Sequence, residues 1–190
     1  MDTKRLASDS EIKLKEEKDS LRRHYRALRK GAPYKNEAAE ALKKNFISFF
    51  SLYSLSGKIV SGYVPMDGEI DVFPLMRYIG STSAVVLVPI VKEDSILLTF
   101  RKWEECPNLL GEIDAIPSIV IVPLVAFDVA LSRLGFGGGY YDRTINFLRK
   151  NNRESKFIGV AYEIQLCDHI PVNEHDQKLD AVITDKTIYS

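Results

Sequence analysis

The chain has 190 residues, with 26 Lys plus Arg against 26 Asp plus Glu, so its formal charge is zero when the histidines are neutral. That balance excludes a globally basic nucleic-acid binder, and any anion site has to be built locally. Hydrophobic residues at 45% and charged residues at 27% are ordinary globular proportions, and the length suits one domain that buries roughly two-thirds of its unfolded surface. The two cysteines, Cys106 and Cys167, are far apart and lack metal-ligand spacing, which favours reduced thiols over a disulfide framework. The N-terminus has no apolar core of the signal-peptide kind, and no apolar run approaches membrane-spanning length. The expectation is a soluble cytoplasmic protein with neither a membrane nor a nucleic-acid partner, and a monomer rather than an oligomer.

Residues 1–17 are mostly polar or charged and lack aromatics, and read as a flexible extension in which Ser8–Glu11 resembles a capping box. Residues 18–190 are expected to form the single folded domain. From Lys18 to Lys30, Leu21, Tyr25 and Leu28 recur at helical spacing, with Gly31 and Pro33 as stop signals. Arg22, Arg26 and Arg29 form a second stripe, with Lys18 one turn before Arg22; such a stripe is ordinarily a solvated basic face. Asn36 can cap a second helix to about Tyr53, packed through Ala38, Leu42, Phe46 and Phe49.

Lys58–Val64 has strand composition and runs into Pro65–Asp71, a turn with Glu69 and Asp71 at the entry of a helix to Tyr78. Ala84–Pro89 is a wholly apolar run of the buried-strand kind, and Ser95–Arg101 is expected to return beside it as a hairpin. Phe100 and Trp103 suit a core more readily than a ring-stacking site. Further strands are expected at Ile119–Val122, Lys156–Tyr162 and Asp180–Thr184. Strands interleaved with helices predict a three-layer α/β/α architecture with a mostly parallel, partly mixed sheet.

The function argument centres on Leu131–Arg143, LSRLGFGGGYYDR, which has four glycines followed by a helix expected over Tyr140–Lys150. Glycine at this density implies positive φ angles or close approach of another group, and a helix start leaves backbone N–H groups that suit phosphate. Tyr140 stands where the dinucleotide fingerprint needs glycine, and Tyr140–Tyr141 stand where a Walker A loop needs Lys-Ser/Thr. A tight turn with no ligand is an equal alternative for the glycines alone; Arg133 before them and Asp142 and Arg143 after them favour an anion site. The loop is expected at the C-terminal end of a sheet strand, where open α/β sheets bind ligands. His175 beside Asp176 fits either a metal pair, a general base with its orienting carboxylate, or an exposed loop.

RLGFGGGYYDR, preceded by VPLVAFD at Val122–Asp128, resembles the ATP-binding signature of the 5-formyltetrahydrofolate cyclo-ligases, also called methenyltetrahydrofolate synthetases. KDSLRRHYRALR, GYVPMDGEID and VPVNEHDQKLDAVIT resemble further blocks of that family in the same order, over about residues 18 to 184. The resemblance implies a fold similar to the NagB/RpiA/CoA transferase-like group and ATP- and magnesium-dependent cyclisation of a reduced folate. It implies ATP contacts at Lys18, Arg22, Arg133, Leu134, Gly135, Phe136, Gly137, Gly138, Gly139, Tyr140 and Tyr141, with Arg26 a weaker candidate. Folate contacts fall on Val64, Glu69 and Tyr140, and magnesium on Asp142 and Asp176. No residue is implied as a covalent nucleophile. The chain departs from the family pattern at Leu124, where glycine is common, and in the short stretch Cys106–Ser118, which helps wall the folate pocket in the family. That departure keeps open a non-catalytic nucleotide- or folate-binding relative, and a sugar-phosphate isomerase is a third reading of the same glycine loop.

Overall fold

The computed structural model describes residues 2–33, 35–103, 115–151 and 154–190. Its centre is a seven-stranded sheet in the order β3-β2-β1-β4-β7-β8-β9. The strands are β1 (Ile59–Ser61), β2 (Val85–Ile90), β3 (Thr99–Lys102), β4 (Ile119–Pro123), β7 (Lys156–Ala161), β8 (Ala181–Thr184) and β9 (Ile188–Tyr189). The five inner strands run parallel, while β3 and β9 pair antiparallel at the two edges. The sheet is therefore mostly parallel and partly mixed, as expected. The short edge strand β9 follows a tight turn after Thr184 and has no counterpart in the expected elements.

Side chains alternate along each inner strand, and both faces are covered. Ile119, Ile121, Ile158, Val160, Ala181 and Ile183 pack with α2 (Lys35–Phe49) and α3 (Phe73–Ser81), through Leu42, Phe46, Leu75, Met76 and Ile79. Val120, Val122, Phe157 and Val182 point the other way, onto Ile145 and Leu148 of α4 (Tyr140–Asn151). Burial on both faces is why these strands read as unbroken apolar runs and not as alternating ones. Three layers result.

Several boundaries differ from expectation, each for a local reason. The first helix, α1, spans Asp2–Lys30, so the helix is under way well before Ser8–Glu11, and residues 2–17 are continuous with the rest. Helix α2 ends at Phe49, four residues before Tyr53. The helix expected from Glu69 begins only at Phe73, because Asp67 and Gly68 adopt positive φ (52° and 77°) and Pro74 suits a first turn. Asp71 Oδ1 accepts the Phe73 N–H at 2.8 Å and so serves the helix start. The glycine loop follows not a strand of the main sheet but a separate hairpin, β5 (Ala126–Phe127) with β6 (Arg133–Leu134). The Asp128 carboxylate shapes that hairpin by accepting the N–H groups of Ala130, Ser132 and Ile170, each at 3.0 Å.

Helix α1 packs over this hairpin through Leu21 and Tyr25, against Ala126, Leu134, Cys167 and Ile170. It thereby crosses the segments that follow the C-terminal ends of β4 and β7. Leu28, expected on its apolar stripe, is 39% exposed, whereas Arg29 is fully buried. The inward face runs Lys18, Leu21, Arg22, Tyr25, Arg29, a mixed stripe in which cations find partners on other elements. Phe100 is buried and Trp103 stacks on Phe73 with ring centroids 5.9 Å apart, the core outcome expected for both. Residues 104–114, with Cys106 and most of the stretch expected to wall a folate pocket, lie outside the described residues, as do Asn152 and Arg153 of the polar loop after α4.

Candidate active site

A cavity of about 1250 Å³ opens beneath α1, at the C-terminal side of the parallel strands. A single small ligand typically occupies roughly 300–1,000 Å³, so the space accommodates two bound molecules. One wall is Lys18 and Arg22, extended along α1 by Glu11, Leu14 and Lys15; a second is the stretch from Arg133 to Arg143; a third is Tyr63, Val64, Met66 and Glu69; and Asn173–Gln177 closes the rim. Apart from Arg26, every residue named above as an ATP, folate or magnesium contact lines this one space, from Lys18 to Asp176. Arg26 does not line it and pairs instead with Asp67 at 2.7 Å.

The glycine loop is shaped by two arginines. Arg22 Nε donates to the Gly135 carbonyl at 2.9 Å, and Arg143 donates to the carbonyls of Gly138 (3.0 Å) and Ile96 (2.8 Å). Gly137 and Gly139 have φ of 105° and 68°, and a Cβ on Gly137 would sit 3.4 Å from Arg22 Cζ. Only glycine takes such a φ cheaply, and the approach of Arg22 would leave a side chain in ordinary contact, so it is the backbone angle that selects glycine here. The loop delivers the chain directly into α4 at Tyr140, where the first N–H groups have no acceptor within the helix.

Two cation–carboxylate pairs border the loop. Buried Arg133 donates to Asp142 Oδ1 at 2.7 Å and to the Gln177 carbonyl. Burial pulls the Arg133 pKa downward, and the charge and hydrogen bond of Asp142 oppose that pull. The Gln177 N–H also reaches Asp142 Oδ1, at 3.0 Å. On the other side Lys18 Nζ meets Asp176 Oδ2 at 2.5 Å, and the Asn173 N–H meets the same oxygen at 2.6 Å. Among the described residues, then, the bonds to Asp142 all fall on Oδ1 and those to Asp176 on Oδ2.

No group of three or more His, Cys, Asp or Glu suited to a metal occurs among the described residues. A site of two carboxylates fits magnesium better than a transition metal, because magnesium keeps several waters and shares substrate phosphates. The His175–Asp176 dyad does not form. His175 is 84% exposed with Glu174 as its charged neighbour at 3.8 Å, and the Asp176 carboxylate is turned to Lys18.

Glu69 lies deep in the third wall. Its Oε2 accepts the Met66 N–H at 3.0 Å, while Oε1 is buried with no hydrogen-bond partner among the described residues. Burial pushes its pKa up to about 6, partly offset by the Met66 N–H and Arg29. Tyr63 and Tyr141 nearby are held protonated by burial, and Tyr63 donates to the Ile70 carbonyl at 3.0 Å. An acceptor of this kind, facing the cavity, suits an N–H donor of a bound molecule.

Set beside known proteins, residues 14–185 match the model of the 5-formyltetrahydrofolate cyclo-ligase family. The chain belongs to that family. It is 30% identical to the 5-formyltetrahydrofolate cyclo-ligase of Escherichia coli K12 over 146 residues, covering 68% of this chain and 79% of that one. It is 28% identical to the cyclo-ligase of Mycolicibacterium smegmatis over 170 residues, 78% of this chain and 82% of that one. Among solved structures, the 5,10-methenyltetrahydrofolate synthetase of Mycoplasma pneumoniae superposes with a TM-score of 0.76 at 25% identity, over 89% of this chain and 99% of that one. This cyclo-ligase-family enzyme has, among its described residues, no helix long and apolar enough to cross a membrane.

Sequence reasoning did not single out Tyr63, Met66, Asn173 and Gln177 of the cavity lining, nor Asp67 behind it, and it read Arg29 as part of a solvated basic face. A signal for Arg29 existed: it lies four residues after Tyr25 and eight after Leu21, in register with the buried stripe. Asp67 carried only the turn signal of the dipeptide Asp67-Gly68.

Proposed function

We propose that the chain catalyses ATP- and magnesium-dependent cyclisation of 5-formyltetrahydrofolate to 5,10-methenyltetrahydrofolate, releasing ADP and phosphate. What carries the reading is the convergence of α1 cations, a positive-φ glycine loop at a helix start and the orphaned Glu69 carboxylate oxygen on one cavity. The first two suit a triphosphate and the third suits the N–H donors of a pterin.

The chemistry asks the protein for position and charge, with no covalent enzyme intermediate. The formyl oxygen attacks the γ-phosphorus, the bond to the β-phosphate oxygen breaks, and ADP leaves. The folate N10 amine then attacks the activated formyl carbon; its C–O bond breaks, phosphate leaves, the amine proton is lost and the ring is closed. Arg133 through Tyr141 cradle the phosphates, with Lys18 and Arg22 as flanking cations. Glu69 fixes the pterin, while Val64 and Tyr140 line its slot. Asp142 and Asp176 would hold magnesium, which neutralises phosphate charge when bound.

The test mixes the protein with 5-formyltetrahydrofolate, ATP and magnesium and follows the near-ultraviolet absorbance of the methenyl product. Product should form only with ATP present, one ADP per ring closed. Product without ATP overturns the mechanism, and ligand binding without turnover overturns the enzyme reading.

A further inference from the structure

Among the described residues Arg29 is the largest side chain with no exposure to solvent, and it belongs to a stripe that would ordinarily face water. Nε and Nη2 donate to the Asp67 carbonyl at 3.2 and 2.9 Å, Nη2 also reaches Asp67 Oδ2 at 3.2 Å, and Nη1 donates to the Leu124 carbonyl at 3.1 Å. The same Nη1 lies 3.7 Å from Glu69 Oε1, the buried oxygen that lacks a hydrogen bond. The guanidinium plane also sits 5.2 Å from the centroid of Phe136, inside the glycine loop. One side chain thus touches the first helix's partner turn, the end of β4, the folate-facing wall and the phosphate-facing loop.

We infer that Arg29 is a positioning residue that holds Glu69 in its carboxylate form at the cavity wall, while it shares the Phe136 ring with Arg26. A fork of five donors on a rigid plane can serve two carbonyls and a carboxylate together, which an ammonium group cannot. The charged groups around Glu69 are few. Arg29 faces it from α1 and favours the anion; Asp67, in its own turn, opposes; Tyr63 after β1 and Tyr141 of α4 are neutral. Arg29 is the only cation of this set, so its removal should leave burial unopposed by charge. The contact between Arg29 and Glu69 does not depend on the substrate; its consequence for turnover rests on the folate reading.

The experiment titrates Glu69 in the ligand-free protein through the carboxyl 13C resonance of labelled glutamate, assigned with Glu69→Gln. Arg29→Gln should raise the Glu69 midpoint by about one pH unit or more, while Arg29→Lys, which keeps the charge, should raise it less. An unmoved midpoint in a folded Arg29→Gln protein overturns the inference. If that variant does not fold, Asp67→Asn decides: loss of the opposing charge and of Arg29's other carboxylate should lower the midpoint, and an unchanged or higher value overturns the inference. The acid limb of kcat/KM for the folate substrate should move with the midpoint. A midpoint that moves while the acid limb stays supports the Arg29 contact and counts against Glu69 as the folate contact.

Discussion

Lys18 and Asp176 are 158 residues apart in sequence and 2.5 Å apart in space, and their contact ties the first helix to the rim of the cavity. Lys18 is nearly buried, and Asp176 is braced by the Asn173 N–H. A double-mutant cycle of Lys18→Met and Asp176→Asn, read by urea unfolding, should give a coupling of about 1–3 kcal/mol. Additive single effects would show the pair to be incidental.

Arg133 and Asp142 form the second tie, and here the cation is the more deeply buried partner. Arg133→Met should cost about 3 kcal/mol of stability, because it strips a part-buried carboxylate of its cation. Asp142→Asn leaves buried Arg133 without its anion and should also lower stability; under the proposed phosphate role it should lower turnover by about 10²-fold or more. Wild-type turnover in Asp142→Asn would remove it from the phosphate and magnesium site.

Glu69 gives a stability prediction with a definite sign. Its folded pKa of about 6 lies above the ordinary carboxylate value of 4.5, so between these pH values the folded state holds more proton than the unfolded one. Stability from this group is therefore full below pH 4.5 and declines as pH rises to about 6, by about 2 kcal/mol. Glu69→Gln, which mimics the neutral form, should be more stable than wild type at pH 7 and no more stable at pH 4. The same substitution should raise KM for the folate substrate. A melting temperature at pH 7 equal to or below wild type would contradict the assignment.

Asp67 works in the opposite direction. Hydrogen bonds from Arg26 and Lys30 hold its carboxyl down at about 2, so its contribution is present above the ordinary value near 3.8 and lost as pH falls towards 2. Asp67→Asn should tolerate the positive φ of 52° and still destabilise by about 1–2 kcal/mol at pH 7, with the difference shrinking in acid. Urea midpoints at pH 7 and pH 3 check this.

Two glycines of the loop should separate. Gly137→Ala forces a φ of 105° on alanine and sets a methyl in ordinary contact with Arg22, so it should cost about 1–2 kcal/mol and raise KM for ATP. A Cβ on Gly135 meets nothing within 4 Å and its φ is not positive, so Gly135→Ala should leave thermal stability unchanged. Equal melting-temperature losses in the two variants would mean that φ is not what selects glycine at position 137.

Much of this protein is legible one segment at a time. Apolar runs such as Ala84–Pro89 and Ile119–Val122 announce strands buried on both faces, and the glycines before Tyr140 announce a loop that feeds a helix. These signals are local, arising from backbone φ preference and from whether a side chain suits water. The short blocks in their order likewise fixed the family, because motif residues can be matched without knowing their neighbours in space. Leu21 and Tyr25 pack inward as their spacing suggests, but the chain alone did not reveal that cations share the buried side of α1. Leu28 reads as core and is exposed, while Arg29 reads as solvent-facing and is sealed. Periodicity ranks residues by their own hydrophobicity, whereas a buried cation is stable only where carbonyls and carboxylates arrive from distant segments, here Leu124, Asp67 and Glu69. The hairpin between β4 and the glycine loop, the start of α3 at Phe73 and the pairing of Lys18 with Asp176 have the same origin. Each depends on partners that only the folded chain brings within hydrogen-bond reach.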